Sequence, residues 1–312
     1  MTRRVGEGGL MSQAEVAPRR STAVAILATA RPRQWVKNLL VFAAPAAAAV
    51  VGRPVTFGRT AGAVAAFCIA SSGVYLINDA LDAASDRRHP VKRFRPIAAG
   101  ELGAGLALRL GALLVVAAIV GGLALGGVPL AGVLAAYGLI SLTYSMRLKQ
   151  VPVVELLCVS SGFVLRAVAG GFAARVPISP WFLVVASFGS LFVVLGKRSA
   201  EAAELGEHRA AHRRALAWYR ASWLQAARWT SEVTTIVAYC GWAIARSTSL
   251  GGQPNSLLVL LSAIPFALVV TLAERAIVRG RGGAPEELAL RDRSLQAAGL
   301  AWGILLAVAL SS

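Results

Sequence analysis

Apolar residues in this chain fall in long uninterrupted blocks, not in the alternating or one-faced patterns of soluble strands and helices. No Asp, Glu, Lys or Arg interrupts residues 60–78, 110–146, 176–196, 247–273 or 294–312, runs of 19, 37, 21, 27 and 19 residues. A helix rises 1.5 Å per residue, so about 20 such residues cross a hydrocarbon core about 30 Å thick. The pattern predicts nine helices, near 34–52, 56–80, 102–125, 127–146, 151–174, 178–197, 228–248, 254–275 and 292–311. Gly126-Gly127-Val128-Pro129 splits the longest run in two, and the Gly251–Asn255 stretch, with two glycines and a proline, separates the seventh and eighth helices. Pro45 is placed to kink the first helix. The expected fold class is all-α: a polytopic membrane protein with a single transmembrane catalytic domain over 31–312 and a disordered cytoplasmic tail over 1–30. Arg3 and Arg4 lead into a polar, Gly-containing stretch, which does not read as a cleavable signal.

Charge then gives the spans a direction. The chain carries 32 Lys and Arg against 15 Asp and Glu, a net charge of +17. In a soluble protein that excess would point to nucleic acid. Here the cations sit between apolar runs, so membrane orientation and anionic ligands account for them, and no nucleic-acid partner is expected. With the N-terminus inside, 27 of the cations fall on inner segments and only Arg53, Arg59, Arg175 and Arg246 on outer ones, Arg166 lying within helix five. This positive-inside bias places the protein in the cell (inner) membrane with its N-terminus and its polar chemistry facing the cytoplasm. Residues 199–227, with Trp218, Tyr219, Trp223 and Leu224, suit either a helix lying on the inner membrane surface or a plain linker helix. Cys68, Cys158 and Cys240 lack metal-ligand spacing and read as packing residues. His208 and His212 are one turn apart but have no acid nearby, so they read as solvated.

Three of the four aspartates lie within eight positions, in Asn78-Asp79-x-x-Asp82-x-x-x-Asp86. On a continuous helix Asn78, Asp82 and Asp86 recur every four residues, with Asp79 about 100° around. Three carboxylates this close repel one another unless a cation joins them, and hard oxygen ligands suit Mg²⁺. Asn78, Asp82 and Asp86 are the candidate metal ligands; Asp79, Asp82 and Asp86 are the candidate catalytic acids. Five cations follow at once, including Lys92, Arg93 and Arg95, as a Mg²⁺–polyphosphate site requires. Other basic groups stand at inner helix ends: Lys37 in Arg31-Pro32-Arg33-Gln34-Trp35-Val36-Lys37-Asn38, then Tyr144, Arg147 and Lys149, then Lys197 in Gly196-Lys197-Arg198. A bundle can gather them around one cavity. Arg166, a permanent cation within an apolar helix, must face the bundle interior, where it suits a buried phosphate. Gly170 and Gly171 beside it allow close helix packing. No P-loop and no Ser-His-Asp or Cys-His arrangement is visible in the sequence.

The aspartate cluster and the basic Arg-Pro stretch after it resemble the first signature of the UbiA-type polyprenyltransferase superfamily. Further segments are similar to one branch of it: Arg31–Asn38, Lys92–Gly100, Tyr144-Ser145-x-x-Leu148-Lys149, Leu165-Arg166-Ala167-x-Ala169-Gly170-Gly171, Phe188–Phe192 and Leu288–Arg293. That branch comprises the phosphoribosyltransferases acting on decaprenyl phosphate in actinobacterial cell-wall synthesis. The resemblance spans about residues 30–310. It implies a UbiA-like bundle of nine helices with a cytoplasm-facing cavity, Mg²⁺ as cofactor, and a possible homotrimer. Aromatic prenyltransferases of the superfamily carry a second aspartate cluster in a later inner loop. Here that loop offers Tyr144, Arg147, Lys149 and Glu155, and no Asp.

The resemblance implies transfer of 5-phosphoribose from phosphoribosyl diphosphate (PRPP) to a polyprenyl phosphate lipid. Tyr75 joins Lys37 and Lys92 as an expected donor-phosphate contact, while Arg147, Lys149 and Arg166 remain open between donor and acceptor. Two other activities compete. An aromatic polyprenyltransferase using a prenyl diphosphate would want the missing second aspartate cluster. A transporter for an anionic solute would want an internal repeat and a polar site at mid-membrane, and neither is visible.

Overall fold

The computed structural model describes residues 20–205, 214–249, 251, 254–283 and 285–310, and no β-strand occurs among them. Among these residues six helices are long and apolar enough to cross a membrane: Pro54–Leu81 (α3), Ala104–Met146 (α5), Val154–Ala174 (α6), Pro180–Leu205 (α7), Asn255–Val278 and Arg293–Leu310 (α13). The fifth of these is two helices in line, α10 (Pro254–Leu261) and α11 (Ala263–Val278), jointed at Ser262. Shorter or more polar helices among the described residues are α1 (Thr22–Ala30), α2 (Ala43–Ala47), α4 (Ala83–Asp86), α8 (Arg214–Trp218), α9 (Ala221–Ser249) and α12 (Pro285–Arg291). Large apolar side chains face outward along the spans, among them Leu113, Val116 and Val120 on α5 and Val233, Val237 and Ile244 on α9. An exterior this apolar is suited to lipid and not to water.

The longest helix is a hairpin. Within α5, Gly127 has φ 70° and ψ −164°, backbone that a side chain would forbid, and Pro129 follows two residues later. A Cβ placed on Gly122 would stand 2.5 Å from Leu134 Cδ1. Those two residues would be about 18 Å apart on a straight helix. The chain therefore turns back on itself in a single non-helical residue. The expected break at Gly126-Gly127-Val128-Pro129 is where it occurs.

The first expected helix differs in kind. Residues Pro32–Phe42 wind as a 3-10 helix and only Ala43–Ala47 is α-helical. A 3-10 run this long is uncommon. Side chains fix it: Trp35 Nε1 donates to Ser72 Oγ at 3.2 Å, and Asn38 is buried against Arg166 and Cys68. Cys68 Sγ accepts from Asn38 Nδ2 at 3.2 Å. The segment lies close on α6, where Gly170 leaves no room for a side chain: a Cβ there would stand 2.9 Å from the Val41 carbonyl carbon and 3.1 Å from Pro45 Cδ.

The tail over 1–30 was expected to be disordered throughout, but Thr22–Ala30 is helical. Ser21 caps it through Val24 N–H, and Ala25 is buried with Leu76, Leu102 and Ala107. Small apolar residues behind a serine cap are enough to make a helix dock. Residues 1–19 lie outside the described residues. So do 206–213, with His208 and His212. The rest of the 199–227 segment packs onto the bundle: α7 continues to Leu205, α9 begins at Ala221, and Leu216, Tyr219 and Leu224 are buried against Leu156, Val194 and Leu195.

The main core lies between α3, α5, α6 and the 3-10 segment. Ala63, Ala66, Phe67, Ala70 and Val74 recur on one face of α3 and meet Leu130, Leu134 and Tyr137 of α5 and Ala169 and Ala173 of α6. Since α5 is a hairpin, its two ends lie at the same end of the bundle as the C-terminus of α3. The connections 82–103 and 147–153 therefore share that end.

Candidate active site

The last turn of α3 carries Asp79 into the protein, where its side chain is 4% exposed. Arg31 Nη2 donates to Asp79 Oδ1 at 2.6 Å, and Arg95 Nη1 approaches the same oxygen at 3.2 Å. The same Arg95 nitrogen donates to Asp86 Oδ2 at 2.8 Å, so one guanidinium ties two carboxylates together. Arg31 is held by unusual backbone: φ 53° between α1 and the 3-10 segment, with its guanidinium 4.6 Å from the centre of the Tyr75 ring.

Asp82 is set apart from this cluster. Its side chain is 38% exposed and meets Lys149 Nζ at 3.5 Å, across 67 residues of sequence. The expectation that all four polar residues share one side of a helix is corrected here. α3 ends at Asp82 (φ −85°, ψ −2°), although Asp82 N–H still bonds to the Asn78 carbonyl and Asp86 N–H to the Asp82 carbonyl, each at 2.9 Å; it is the partners that part the carboxylates, Arg95 holding Asp86 with Asp79 while Lys149 meets Asp82. Among the described residues no three His, Cys, Asp or Glu side chains converge as a metal site. Asn78 nevertheless has a buried Oδ1 without a hydrogen-bond partner, one turn before the half-open Asp82. A buried orphan oxygen is costly unless something meets it.

Arg166 is nearly buried and reaches no carboxylate among its hydrogen-bond partners. Nε donates to Asn38 Oδ1 at 2.7 Å, Nη1 to the Gly162 carbonyl at 2.6 Å and Nη2 to Tyr137 Oη at 3.1 Å. The Tyr137 and Phe67 ring centres lie 4.7 and 5.7 Å from its Cζ. Neutral dipoles and aromatic faces solvate this cation without neutralising it, which leaves its charge for an anion. Tyr75 lies within electrostatic reach of Arg31, Asp79, Tyr137 and Arg166. Phe163, about one helical turn before Arg166, and Ala167, the next residue, line an apolar cavity of about 260 Å³, with Leu40, Phe182, Tyr239, Trp242, Phe266 and Trp302 among its other walls.

Glu155 does not pair with Arg166. It is wholly buried and receives Arg198 at 2.7 to 3.1 Å through Nε and Nη2. Arg198 also pairs with Glu201. Of the adjacent pair Lys197-Arg198, it is Arg198 that turns inward while Lys197 is exposed. The remaining expected contacts distribute as follows. Lys37, Lys92, Tyr144 and Lys149 are half-buried, Arg147 is exposed, and Arg93 lies over the Phe94 ring at 4.8 Å. The structure thus joins Asp79, Asp86, Arg95 and Tyr75 around Arg31, and joins Asp82 to Lys149. Arg31, Asn38 and Tyr137 were not singled out from the sequence. Asn38 and Tyr137 were detectable in principle, as polar groups in apolar helices that a buried arginine would need.

This arrangement, acids and bases gathered at one end of an apolar bundle, is that of a membrane-embedded transferase for phosphorylated substrates. The chain belongs to the UbiA prenyltransferase family, whose model matches residues 39–291. Among its relatives, the decaprenyl-phosphate phosphoribosyltransferase of Mycolicibacterium smegmatis is 41% identical over 305 residues, covering 93% of this chain and 94% of the relative. The enzyme of the same description from Corynebacterium glutamicum is also 41% identical, over 292 residues, covering 91% of this chain and 86% of the relative. A UbiA homolog from Archaeoglobus fulgidus, solved bound to GPP and Mg²⁺, superposes with a TM-score of 0.64 at 14% identity, covering 92% of this chain and 100% of that one. Family and apolar helices together make this an integral membrane protein.

Proposed function

We propose that the protein transfers the 5-phosphoribosyl group of PRPP to decaprenyl phosphate or a similar polyprenyl phosphate, giving polyprenylphosphoryl-5-phosphoribose and diphosphate. The product would be a precursor for cell-wall arabinan. The observation that carries this reading is the Lys149–Asp82 contact. Where a prenyl-diphosphate enzyme would bring a second acid cluster to the first, this chain brings a cation. One acid cluster serves one diphosphate, and the second substrate is a monophosphate held by bases. The extent of the 41% identity to the phosphoribosyltransferases supports the same reading.

Asn78, through its orphan oxygen, and Asp82, with its half-open carboxylate, fit a hard divalent cation such as Mg²⁺; Asp86 is close in sequence but engaged by Arg95. Bound there, Mg²⁺ would neutralise charge on the departing diphosphate. Arg31, Arg95 and Lys149 sit on the acid cluster with Tyr75 beside them, and Lys37, Lys92 and Arg93 extend the donor side. The C1–O bond to diphosphate breaks, C1 gains oxocarbenium character, and a lipid phosphate oxygen forms the new C1–O bond. That oxygen is already anionic near neutral pH, so no general base is needed, in keeping with a site built of carboxylates, arginines and lysines. Arg166 holds the acceptor phosphate, with the isoprenoid chain in the adjoining apolar cavity. Arg147 and Lys197, both exposed, are left to attract anions to the entrance. In this reading the bundle spans the membrane nine times, with its N-terminus and its site in the cytoplasm.

The test is transfer of label from phosphoribosyl-labelled PRPP into the lipid phase by purified protein with Mg²⁺ and polyprenyl phosphate. Asp82→Ala should abolish it in protein that remains folded. Near-normal turnover by that variant would remove Asp82 from the site. Label trapped only in a vesicle lumen would indicate transport instead.

A further inference from the structure

The loop that delivers Lys149 to Asp82 ends in an unfavourable turn. Val153 has φ 64° and ψ −50°, and Val154 N–H donates back to the Pro152 carbonyl at 2.7 Å. A β-branched residue at positive φ in so tight a turn is strained, and such strain persists only where neighbours over-determine it. The neighbour here is Tyr219, which comes from a different part of the chain. Its hydroxyl accepts Val153 N–H at 2.9 Å and lies 3.4 Å from Glu155 Oε1, to which it donates. Both ends of this contact are rigid. Glu155 is clamped by Arg198, and the Tyr219 ring is buried and stacked on Trp223 at 5.2 Å with planes 13° apart. The chain from the Val153 turn back to Lys149 is only four residues, so the turn sets where the lysine can reach.

We propose that Tyr219 is a positioning residue for the site: its hydroxyl latches the strained Val153 turn and thereby holds the 147–153 loop with Lys149 at Asp82. The donor role given to Lys149 rests on the proposed function; the latch itself does not. Tyr219→Phe keeps the ring and its packing and removes only the hydroxyl. Freed of it, Val153 relaxes toward negative φ and the loop shifts. Glycine adopts φ near 64° without strain, so adding Val153→Gly should let the loop keep its native path without the latch.

Two readouts separate the latch from the reaction. Amide exchange of a peptide covering residues 147–154 should be about tenfold faster in Tyr219→Phe than in wild type. The KM for PRPP should rise about tenfold, with kcat and the lipid KM within about twofold, and Tyr219→Phe/Val153→Gly should recover most of the donor KM. A purely structural tyrosine would lower the folded fraction and leave the donor KM of the surviving enzyme unchanged. Unchanged exchange overturns the latch. Faster exchange with an unchanged donor KM, or no recovery in the double variant, overturns the positioning role. If wild type transfers nothing while the exchange result stands, the proposed function and the donor role fall and the latch survives.

Discussion

Gly170→Ala is the sharpest probe of how Arg166, proposed above to hold the acceptor phosphate, is kept in place. The added Cβ would stand 2.9 Å from the Val41 carbonyl carbon, closer still to its oxygen, and 3.1 Å from Pro45 Cδ, all on or beside the 3-10 segment. Backbone cannot swing aside as a side-chain tip can, so α6 and that segment must part, by about 1.5 Å, to restore ordinary contact distances. Asn38 lies three residues before Val41, and Arg166 lies four before Gly170, so the same parting stretches their 2.7 Å bond out of hydrogen-bonding range. Overpacking costs about 1–3 kcal/mol and a lost charge-assisted hydrogen bond about 1.5–3 kcal/mol, which together give roughly 3–5 kcal/mol. In detergent micelles that should lower Tm by about 8–15 °C. Lipid turnover should fall even at temperatures where the variant is folded. Gly132→Ala is the control, since a Cβ there meets nothing within 4 Å. It should be neutral or slightly stabilising, because alanine favours helix over glycine by about 0.5–1 kcal/mol. A Gly170→Ala protein with wild-type Tm and turnover would refute the claim that contact at this glycine sets the position of Arg166.

Three other outcomes follow from contacts already described. Glu155→Gln takes from the buried Arg198 its wholly buried carboxylate and leaves it only the part-exposed Glu201, so it should cost up to about 3–5 kcal/mol in thermal unfolding, and Glu155→Met/Arg198→Met should recover much of it, since an apolar pair needs no charge partner; a Glu155→Gln variant as stable as wild type would contradict this. Arg166→Lys retains charge but not the fork that serves Asn38, Gly162 and Tyr137 at once, so the lipid KM should rise about tenfold while the PRPP KM holds; a change confined to PRPP would move Arg166 to the donor side. Burial, opposed by the Val153 hydrogen bond, pushes the Tyr219 hydroxyl up to about 12. A raised folded value means that its contribution is complete below about pH 10 and lost as pH rises towards 12, so the Tm gap between wild type and Tyr219→Phe should be flat from pH 7 to about 10 and shrink above; a gap that widens there would reverse the sign.

Much of the bundle was legible because lipid demands long uncharged runs, and nothing in a soluble fold produces them. The α5 break could be located because Gly127 and Pro129 each disrupt a helix for their own reason. The 3-10 winding of Pro32–Phe42 was not legible, since it depends on Gly170 admitting the segment and on Ser72 and Arg166 holding its side chains, all distant in sequence. The acid cluster was recognisable by composition, but its geometry was not. Helical spacing carries no information about Arg95 and Lys149, which arrive from other segments and draw Asp79 and Asp86 apart from Asp82. Which cation pairs with which acid is likewise beyond spacing. Lys197 and Arg198 differ by about 100° on α7, and only the position of Glu155 on α6 decides that the arginine turns inward. Arg31 and Asp79 are 48 residues apart, and their contact exists because α1, expected to be disordered, docks beside α3.

The hairpin form of α5 bears on how the protein is made. Residues 110–146 contain no charge, the nearest flanking cations are Arg109 and Arg147 at its two open ends, and the turn spends a single non-helical residue at Gly127. Neither half has a hydrophilic tether to hold its far end outside the bilayer while its mate is synthesised. The pair must partition from the insertion machinery into lipid as one unit, driven by apolar transfer of both halves. In the proposed nine-span arrangement only a glycine-proline tip crosses to the opposite face, and biogenesis of this segment requires no charge to be translocated.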